Sequence, residues 1–301
     1  MSSSVHHAVR TLRENPRFRK VAIPAYRKLT SMLAFGKGPR VLINSLPKAG
    51  THLLTSLLRH VPGMIHSGRH FVFDDFRTTM ERPPLWGDVL EVDWQRLEVT
   101  LAALNKGQFM TAHCPAEREL LMMLDKLDFK TLFIIRDPRD IVVSSAFYIA
   151  RLERHIMHGR YKQLFSTDDE RIMATITGFP ADANGRGAES IGSKLVRYME
   201  WLKAPRVHTC RFESLIGPAG GGDRDGQQSE VEGILRYLDR PNGPKDVGLL
   251  ADHVWSQRSP TFRRGLIGDW RNHFSDEHKA AFKELAGEHL IALGYESDLD
   301  W

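Results

Sequence analysis

The chain has 301 residues and a net charge of +5, with 42% hydrophobic and 26% charged residues. This balance is typical of a globular protein with one large domain or two small ones. No apolar run reaches the roughly 20 residues that a membrane-spanning helix requires. Residues 1–20 also lack the apolar core of a secretory signal, so we expect a cytoplasmic protein.

The positive charge is concentrated at the N-terminus. Residues 1–40 hold nine Lys or Arg and one acid, Glu14, which gives +8, whereas the remainder carries −3. We therefore predict a basic N-terminal arm, residues 1–40, followed by a domain of residues 41–301. Such an arm can attract a membrane surface, a nucleic acid or an acidic substrate. The alternative, which we favour, is a solvated and partly helical extension.

The first predicted strand is the apolar run of residues 41–45, and the loop of residues 46–51 follows it. A helix comes next, because its apolar residues recur at the spacing that buries one helical face. Those residues are Leu53, Leu54, Leu57, Leu58 and Val61. The order is a strand, a tight loop and a helix.

Further strands alternate with helical stretches. The predicted strands lie near residues 63–67, 109–113, 131–136 and 207–212. Asp137 suits the N-cap of the helix after the fourth strand, and Pro138 suits its first position. The alternation predicts a parallel sheet covered by helices on both faces, with ligands at the carboxyl ends of its strands. The loops at Lys48, His113 and Arg136 leave strand ends of this kind.

Two segments interrupt the alternation. Residues 149–192 are polar in places and rich in Arg and His, so they are a candidate lid or acceptor wall. Residues 217–229, GPAGGGDRDGQQS, are predicted to be a flexible connector from their composition. Ser275 then begins a final helix with acids in its first turn, and Gly294 follows its end.

The two cysteines, Cys114 and Cys210, stand in apolar, strand-like sequence. Their separation fits neither a zinc-binding spacing nor a disulfide framework. We expect two buried, reduced thiols and no metal.

The loop after the first strand has the composition of an anion site. A loop between a strand and a helix points backbone N–H groups at whatever lies above the helix N-terminus. Gly50 permits close approach, Lys48 adds a positive charge and Thr51 adds a hydroxyl. The lysine precedes the glycine, so this is not a Walker A motif. An ordinary turn with an exposed lysine is the alternative.

Two further segments are rich in groups that bind phosphate. Arg136 ends the fourth strand and Ser144 lies two turns into the next helix, and arginine grips phosphate with two hydrogen bonds. A capped helix with surface ion pairs would equally explain Asp137 and Asp140. In residues 262–274 two adjacent arginines are followed by glycine, a second candidate anion grip.

Together and in this order, these segments resemble the sulfotransferases that use 3′-phosphoadenosine 5′-phosphosulfate (PAPS). PKAGT (47–51) resembles the family's 5′-phosphosulfate loop, usually PKSGT, and FIIRDPRDIVVSSAFY (133–148) resembles its 3′-phosphate site. FRRGLIGDWRNHF (262–274) resembles its C-terminal signature, and TAHCP (111–115) resembles the segment with its catalytic histidine. The resemblance spans about residues 41–301. It implies a single α/β domain with a P-loop-NTPase-like sulfotransferase fold.

The resemblance also implies roles for individual residues. Lys48 would stabilise the leaving phosphate without a metal, and His113 would be the general base that receives the acceptor's proton in an in-line displacement. The product would be 3′-phosphoadenosine 5′-phosphate (PAP). The other implied donor contacts are Ala49, Gly50, Thr51 and His52 at the 5′-phosphate, Arg136, Ser144, Arg263, Arg264 and Gly265 at the 3′-phosphate, and Phe212 and Phe262 at the adenine.

Several positions depart from the family pattern. Leu53 stands where the family usually has tryptophan, and Thr111 stands where cytosolic members often carry lysine. His52 replaces a common threonine and is either a second titrating group or a backbone contact to phosphate. No dimer motif is recognisable after Phe274, which leaves the oligomeric state open.

Three other functions are alternatives. A P-loop-type kinase would need ATP, magnesium and a Walker A loop, which the sequence lacks. A non-catalytic nucleotide-binding protein of the same fold would not need both Lys48 and His113. A nucleic-acid-binding protein would interleave aromatic and basic residues, and the arm offers only Phe18, Tyr26 and Phe35.

The acceptor is predicted only as a class: a small molecule, glycan or lipid, and no nucleic acid. Residues 70–86 and 148–165 are the candidate walls. Their aromatic residues fit an apolar or ring-bearing acceptor, and fit a protein core equally well. The aromatic residues of the first wall are Phe71, Phe73, Phe76 and Trp86. Arg151, Arg154 and Arg160 favour an acidic or membrane-associated acceptor.

Overall fold

The computed structural model describes residues 38–77, 91–183, 185–240, 243–255 and 264–301, together with Ala25. The predicted basic arm lies almost wholly outside the described residues, as do Trp86, Phe262 and Arg263. The domain division at residue 40 therefore stays a prediction.

The strands are short apolar runs that end in loops, as the sequence pattern requires. They are β1 (Arg40–Ser45), β2 (Ile65–Phe71), β3 (Gln108–Ala112), β4 (Phe129–Ile135) and β5 (Val207–Arg211). All five predicted strands are present, and the largest shift is in β2, which begins and ends later than expected. Every pairing is parallel, in the order β2-β3-β1-β4-β5.

The strand order fixes where a ligand can bind. β1 is central, with β3 on one side and β4 on the other, so the chain changes sides of β1 between β3 and β4. In the register, Asn44 of β1 pairs with Ala112 of β3 and with Phe133 of β4. The carboxyl ends of these three strands therefore meet at one edge, which is where open α/β sheets bind ligands.

Helices connect and cover the strands. The longer ones are α1 (Thr51–Leu58), α2 (Trp94–Ala102), α3 (Arg118–Lys126), α4 (Pro138–Arg151), α5 (His158–Leu164), α6 (Asp168–Thr177), α7 (Ile191–Met199), α8 (Phe212–Leu215), α9 (Arg224–Tyr237), α10 (Pro244–Asp252) and α11 (Asp276–Ala292). Short 3₁₀ helices cover Phe73–Phe76, Glu200–Lys203, Pro218–Gly220 and Asp269–Asn272. No helix within the described ranges is long and apolar enough to cross a bilayer.

Each face of the sheet has its own hydrophobic core because successive side chains of a strand point to opposite faces. Leu42 packs on one face with α4, α7 and α11, and Val41 and Ile43 pack on the other with α1 and α9. The five predicted apolar residues of α1 and its end are all buried on the second face. The single α/β domain with a covered parallel sheet is thus confirmed.

Helix ends agree with the sequence signals. Asp137 caps α4 by accepting the Arg139 N–H, with Pro138 at the first position. Ser275 caps α11, and Gly294 follows its end in the left-handed region, at φ 71°. Both cysteines are buried and unpaired, as predicted.

One local prediction is wrong. Residues 217–229 are not a flexible connector, because α9 begins at Arg224 within them and Asp223 caps it through the Gly226 N–H. Composition misled here, since an N-cap followed by polar residues resembles a loop. The polar interruption of residues 149–192 contains α5 and α6, which pack around Met157, Tyr161 and Phe179. Its role as a lid or acceptor wall stays a prediction.

Candidate active site

The loop between β1 and α1 is shaped to receive an anion. Lys48 and Gly50 both have left-handed backbones, at φ 74° and φ 114°. A Cβ on Gly50 would lie 2.7 Å from Cδ2 of Phe212, so only glycine fits. No side chain caps α1 at Gly50. The first N–H groups of a helix have no intrahelical partner, and a phosphate or sulfate satisfies them.

One backbone and one side-chain hydrogen bond hold this loop in place. The Ala49 N–H donates to the Leu46 carbonyl at 3.1 Å. The hydroxyls of Ser45 and Thr51 share a hydrogen bond of 2.7 Å, and both residues are buried. The loop is therefore fixed by the end of β1 before any ligand arrives.

Lys48 extends its ammonium over an aromatic ring. Its Nζ lies 4.0 Å from the centroid of the Tyr148 ring, a cation–π contact. Tyr148 comes from α4, so the contact joins the loop after β1 to the helix after β4. The sequence pointed to Tyr148 only as a candidate acceptor wall and gave no sign of this contact.

Arg136 lies across the switch point from the loop. Its side chain is 7% exposed, and its guanidinium stacks 4.1 Å above the Phe212 ring. It donates to the carbonyls of Lys48 at 3.3 Å and Leu266 at 3.0 Å. Its Nε is buried and has no hydrogen-bond partner. A buried donor without a partner is costly, so this atom marks a place that fits an anionic oxygen.

Asp140 attaches the C-terminal segment to this arginine. It is 1% exposed and accepts the backbone N–H groups of Gly268 and Trp270, each at 2.9 Å. Its carboxylate also lies 3.5 Å from the Arg136 guanidinium. The alternative that Asp140 forms a surface ion pair is therefore wrong, because the pair of Asp140 with Arg136 is buried. The same carboxylate holds residues 264–272 against α4.

The remaining donor-side candidates occupy different depths. Ser144 is buried in α4, and Phe212 is buried beneath Gly50 and Arg136. Arg264 is exposed and pairs with Asp269 at 3.2 Å, next to Gly265. Among the described residues, the structure thus brings together predicted residues from three separate segments at one edge of the sheet. Their roles toward a nucleotide stay predictions.

His113 lies on the other side of β1, just after β3. Its Nδ1 is 2.9 Å from the carbonyl oxygen of Ser45, and its backbone N–H donates to the Phe71 carbonyl at 3.1 Å. A carbonyl oxygen can only accept, so Nδ1 carries the proton. Nε2 then holds the lone pair, which is the form a general base requires.

His70 and His52 lie close enough to affect the charge of His113, and His66 in turn lies near those two histidines. The His70 ring lies edge-on to His113 with centroids 5.0 Å apart, and its Nδ1 is 2.9 Å from the Thr111 hydroxyl. Burial, followed by the neighbouring His70, lowers the pKa of His113 to about 4. Desolvation, then the charge of Lys48, lowers the pKa of His52 to about 4, although His52 is an exposed residue. The pKa of His66 is also lowered to about 4, and burial is the largest cause. The imidazoles are therefore neutral at pH 7.

The described part of the candidate acceptor wall, residues 70–77, contributes aromatic residues to the core. Phe71, Phe73 and Phe76 are all buried, which bears out the alternative that their aromatic rings pack inside the protein. The sequence pattern did not indicate that His70 lies beside His113 and that His66 lies near His70. Their positions on β2 became informative only through the pairing of β2 with β3.

Comparison with known proteins agrees with this geometry. Human sulfotransferase 1E1 is 23% identical over 199 residues, which cover 58% of this chain and 59% of the human protein. Mouse sulfotransferase 2A1 is 22% identical over 222 residues, covering 70% of this chain and 73% of that protein. The match to the human protein therefore spans less than two thirds of its length.

Solved structures show the same fold. Mouse sulfotransferase SULT7A1 complexed with PAP superposes with a TM-score of 0.56 at 17% identity, covering 85% of this chain and 87% of that one. Retinol dehydratase in complex with androsterone and the inactive cofactor PAP gives 0.52 at 15% identity, covering 83% and 80%. The sulfotransferase domain family matches residues 38–216, more than half of the chain. The chain belongs to the sulfotransferase family.

Proposed function

We propose that the protein transfers a sulfuryl group from PAPS to a hydroxyl or amine of a small acceptor. The observation that carries the proposal is the buried Arg136, whose Nε lacks a partner beside the Lys48 loop. A 3′-phosphate would satisfy this donor, and the N-terminus of α1 would receive the 5′-phosphosulfate. Two anion sites, one after β1 and one after the neighbouring strand β4, fit a nucleotide that carries both a 5′-phosphate and a 3′-phosphate.

When bound, PAPS supplies an activated sulfuryl group with a phosphate as its leaving group. Lys48 and the N–H groups of α1 place positive charge where the leaving group becomes more negative. Arg136 and Ser144 hold the 3′-phosphate, and Arg264 and Gly265 close over it. We propose that these cationic groups make a catalytic metal unnecessary.

His113 receives the acceptor's proton at Nε2. The Ser45 carbonyl fixes the ring by accepting from Nδ1, and the low pKa keeps the imidazole neutral at pH 7. The acceptor therefore binds near His113, at the ends of β2 and β3. The retinol dehydratase structure contains androsterone, which supports a small acceptor.

The first test is thermal unfolding with PAP, against ADP plus magnesium. A ligand that binds only the folded state at a hundred times its Kd stabilises it by about 2.7 kcal/mol. We expect a clear rise in Tm with PAP and little with ADP. A rise with ADP alone would instead support a kinase, and PAP binding without transfer from PAPS to any tested phenol or hydroxysteroid would support a non-catalytic protein.

A matched pair of variants locates the binding. Arg136→Ala should abolish the PAP-induced rise in Tm. Arg211→Ala is the control. Like Arg136, Arg211 lies at the end of a strand, donates to a carbonyl and lies over an aromatic ring, here that of Tyr295. An equal loss in both variants would show that PAP does not depend on Arg136.

A further inference from the structure

Three side chains with metal-binding atoms meet at the edge of the sheet, apart from the residues of the candidate active site. They are His208 and Cys210 on β5 and Glu230 on α9. Their ligand atoms, an imidazole nitrogen, a thiol sulfur and a carboxylate oxygen, all lie within 4.8 Å of one another.

The secondary structure explains why they meet. His208 and Cys210 are two residues apart on a strand, so both side chains point to the same face. α9 packs on that face, and its Glu230 and Tyr237 lie two turns apart on one side of the helix. The Tyr237 ring stacks against the His208 ring with centroids 5.2 Å apart, which orients the imidazole.

Other contacts hold the remaining two groups. Cys210 is fully buried, so its sulfur has a fixed position. The Cys210 thiol donates to the His208 carbonyl oxygen at 4.0 Å, and the Glu230 carboxylate lies beside Cys210 on the packed face of α9. His208 and Glu230 are only partly buried, so an ion and a water molecule can reach the cluster.

This donor set suits zinc. Thiolate and imidazole are preferred zinc ligands, carboxylate completes many sites, and bonds of about 2.0–2.3 Å place tetrahedral ligand atoms roughly 3.5 Å apart. A closure of about 1 Å, within reach of the partly exposed His208 and Glu230 side chains, is enough to form the site. We propose that His208, Cys210 and Glu230 bind one Zn²⁺, with water as the fourth ligand.

Binding would have a defined chemistry and consequence. The Cys210 thiol loses its proton to solvent as the sulfur–zinc bond forms, and neither the sulfur nor the metal changes oxidation state. The ion would link the edge strand β5 to α9. Cys210 lies two residues before Phe212, so the site adjoins the residue that packs against Gly50 and Arg136. The spacing of the cysteines gave no sign of the site, because its third ligand lies 20 residues beyond Cys210 and is not a cysteine.

Cobalt titration tests the site in the full-length chain after treatment with a chelator. Thiolate ligation of Co²⁺ gives a near-ultraviolet charge-transfer band, which imidazoles of the active-site histidines do not produce. We expect one equivalent of Co²⁺ to give this band and one equivalent of Zn²⁺ to remove it. The band should persist in Cys114→Ala, which removes the other buried thiol, and disappear in Cys210→Ala.

Two milder variants decide the matter if Cys210→Ala does not fold. His208→Gln and Glu230→Gln change partly exposed groups and should each weaken Zn²⁺ binding at least tenfold. The absence of a thiolate band in the wild-type protein would overturn the proposal. Unchanged Zn²⁺ affinity in both glutamine variants would overturn it equally. PAP binding is measured separately, so neither result depends on the proposed sulfuryl transfer.

Discussion

At the scale of single residues, Lys48 shows how local strain positions a functional group. A non-glycine residue in the left-handed region costs roughly 1–2 kcal/mol, and Lys48 adopts it at φ 74°. Such strain persists where the surroundings enforce it, and it clusters at functional sites. Here Ala49 and Thr51, which follow Lys48, form hydrogen bonds to Leu46 and Ser45, which precede it, and these bonds hold the turn. The ammonium is directed toward Tyr148.

Lys48→Met should therefore affect catalysis more than folding. Removing one group that stabilises transition-state charge lowers kcat by about 10²–10³-fold, whereas Tm should change little. Lys130→Met is the control, because Lys130 also lies over a tyrosine ring, at 5.3 Å, but near the start of β4. Steady-state kinetics with PAPS measures the effect. An equal loss of kcat in both variants would contradict a special role for Lys48.

The sequence located those site residues that lie at strand ends. Lys48, His113 and Arg136 each follow an apolar run, and parallel strands bring such ends to one edge. It did not locate His70, because the approach of His70 to His113 depends on the pairing of β2 with β3. Long-range contacts of this kind leave no periodic signal.

At the scale of elements, Asp140 connects three parts of the chain. Its carboxylate accepts from the Gly268 and Trp270 N–H groups and faces Arg136. The sequence signalled the cap at Asp137, since N-caps follow local rules. Burial of Asp140 depended on the return of residues 264–272 to α4, which local rules do not predict. The misassigned start of α9 has a similar origin, because packing against β5 outweighs its loop-like composition.

Asp140→Asn should loosen this junction. The amide keeps an acceptor oxygen but leaves the buried Arg136 without its carboxylate, at a cost of about 3 kcal/mol in unfolding free energy. PAP should also bind more weakly, because the 264–272 segment is released from α4. Asp239→Asn is the control: Asp239 is exposed and pairs with Lys130, so its loss should cost less than about 1 kcal/mol.

Urea denaturation and PAP titration together check this element. A small and equal loss of unfolding free energy in the Asp140 and Asp239 variants would show that the buried carboxylate does not hold the segment. Unchanged PAP affinity in Asp140→Asn would show that the attachment of residues 264–272 to α4 does not contribute to PAP binding.

At the scale of the whole molecule, the histidines beside β1 link folding to acidity. His52, His66 and His113 each have a pKa lowered to about 4 from the ordinary 6.5, with desolvation as the main cause. Desolvation also lowers the pKa of His70. Protonating His52 or His113 places a positive charge near Lys48, and protonating His66 places one near His52 and His70. The candidate active-site edge is therefore the part of the fold that acid should disturb first.

The size of the acid effect on the free energy of unfolding can be calculated for His113. The pKa of His113 is about 4 in the folded protein and near 6.5 in the unfolded protein. Between these two pH values the unfolded state binds more protons, so the free energy of unfolding decreases as the pH is lowered. From pH 7 to pH 5 this residue alone should remove about 2 kcal/mol of unfolding free energy. Urea denaturation at both pH values should show His113→Asn losing that much less than the wild type. His60→Asn, at an exposed ring, should match the wild type, and an equal loss in all three would assign the effect to other groups.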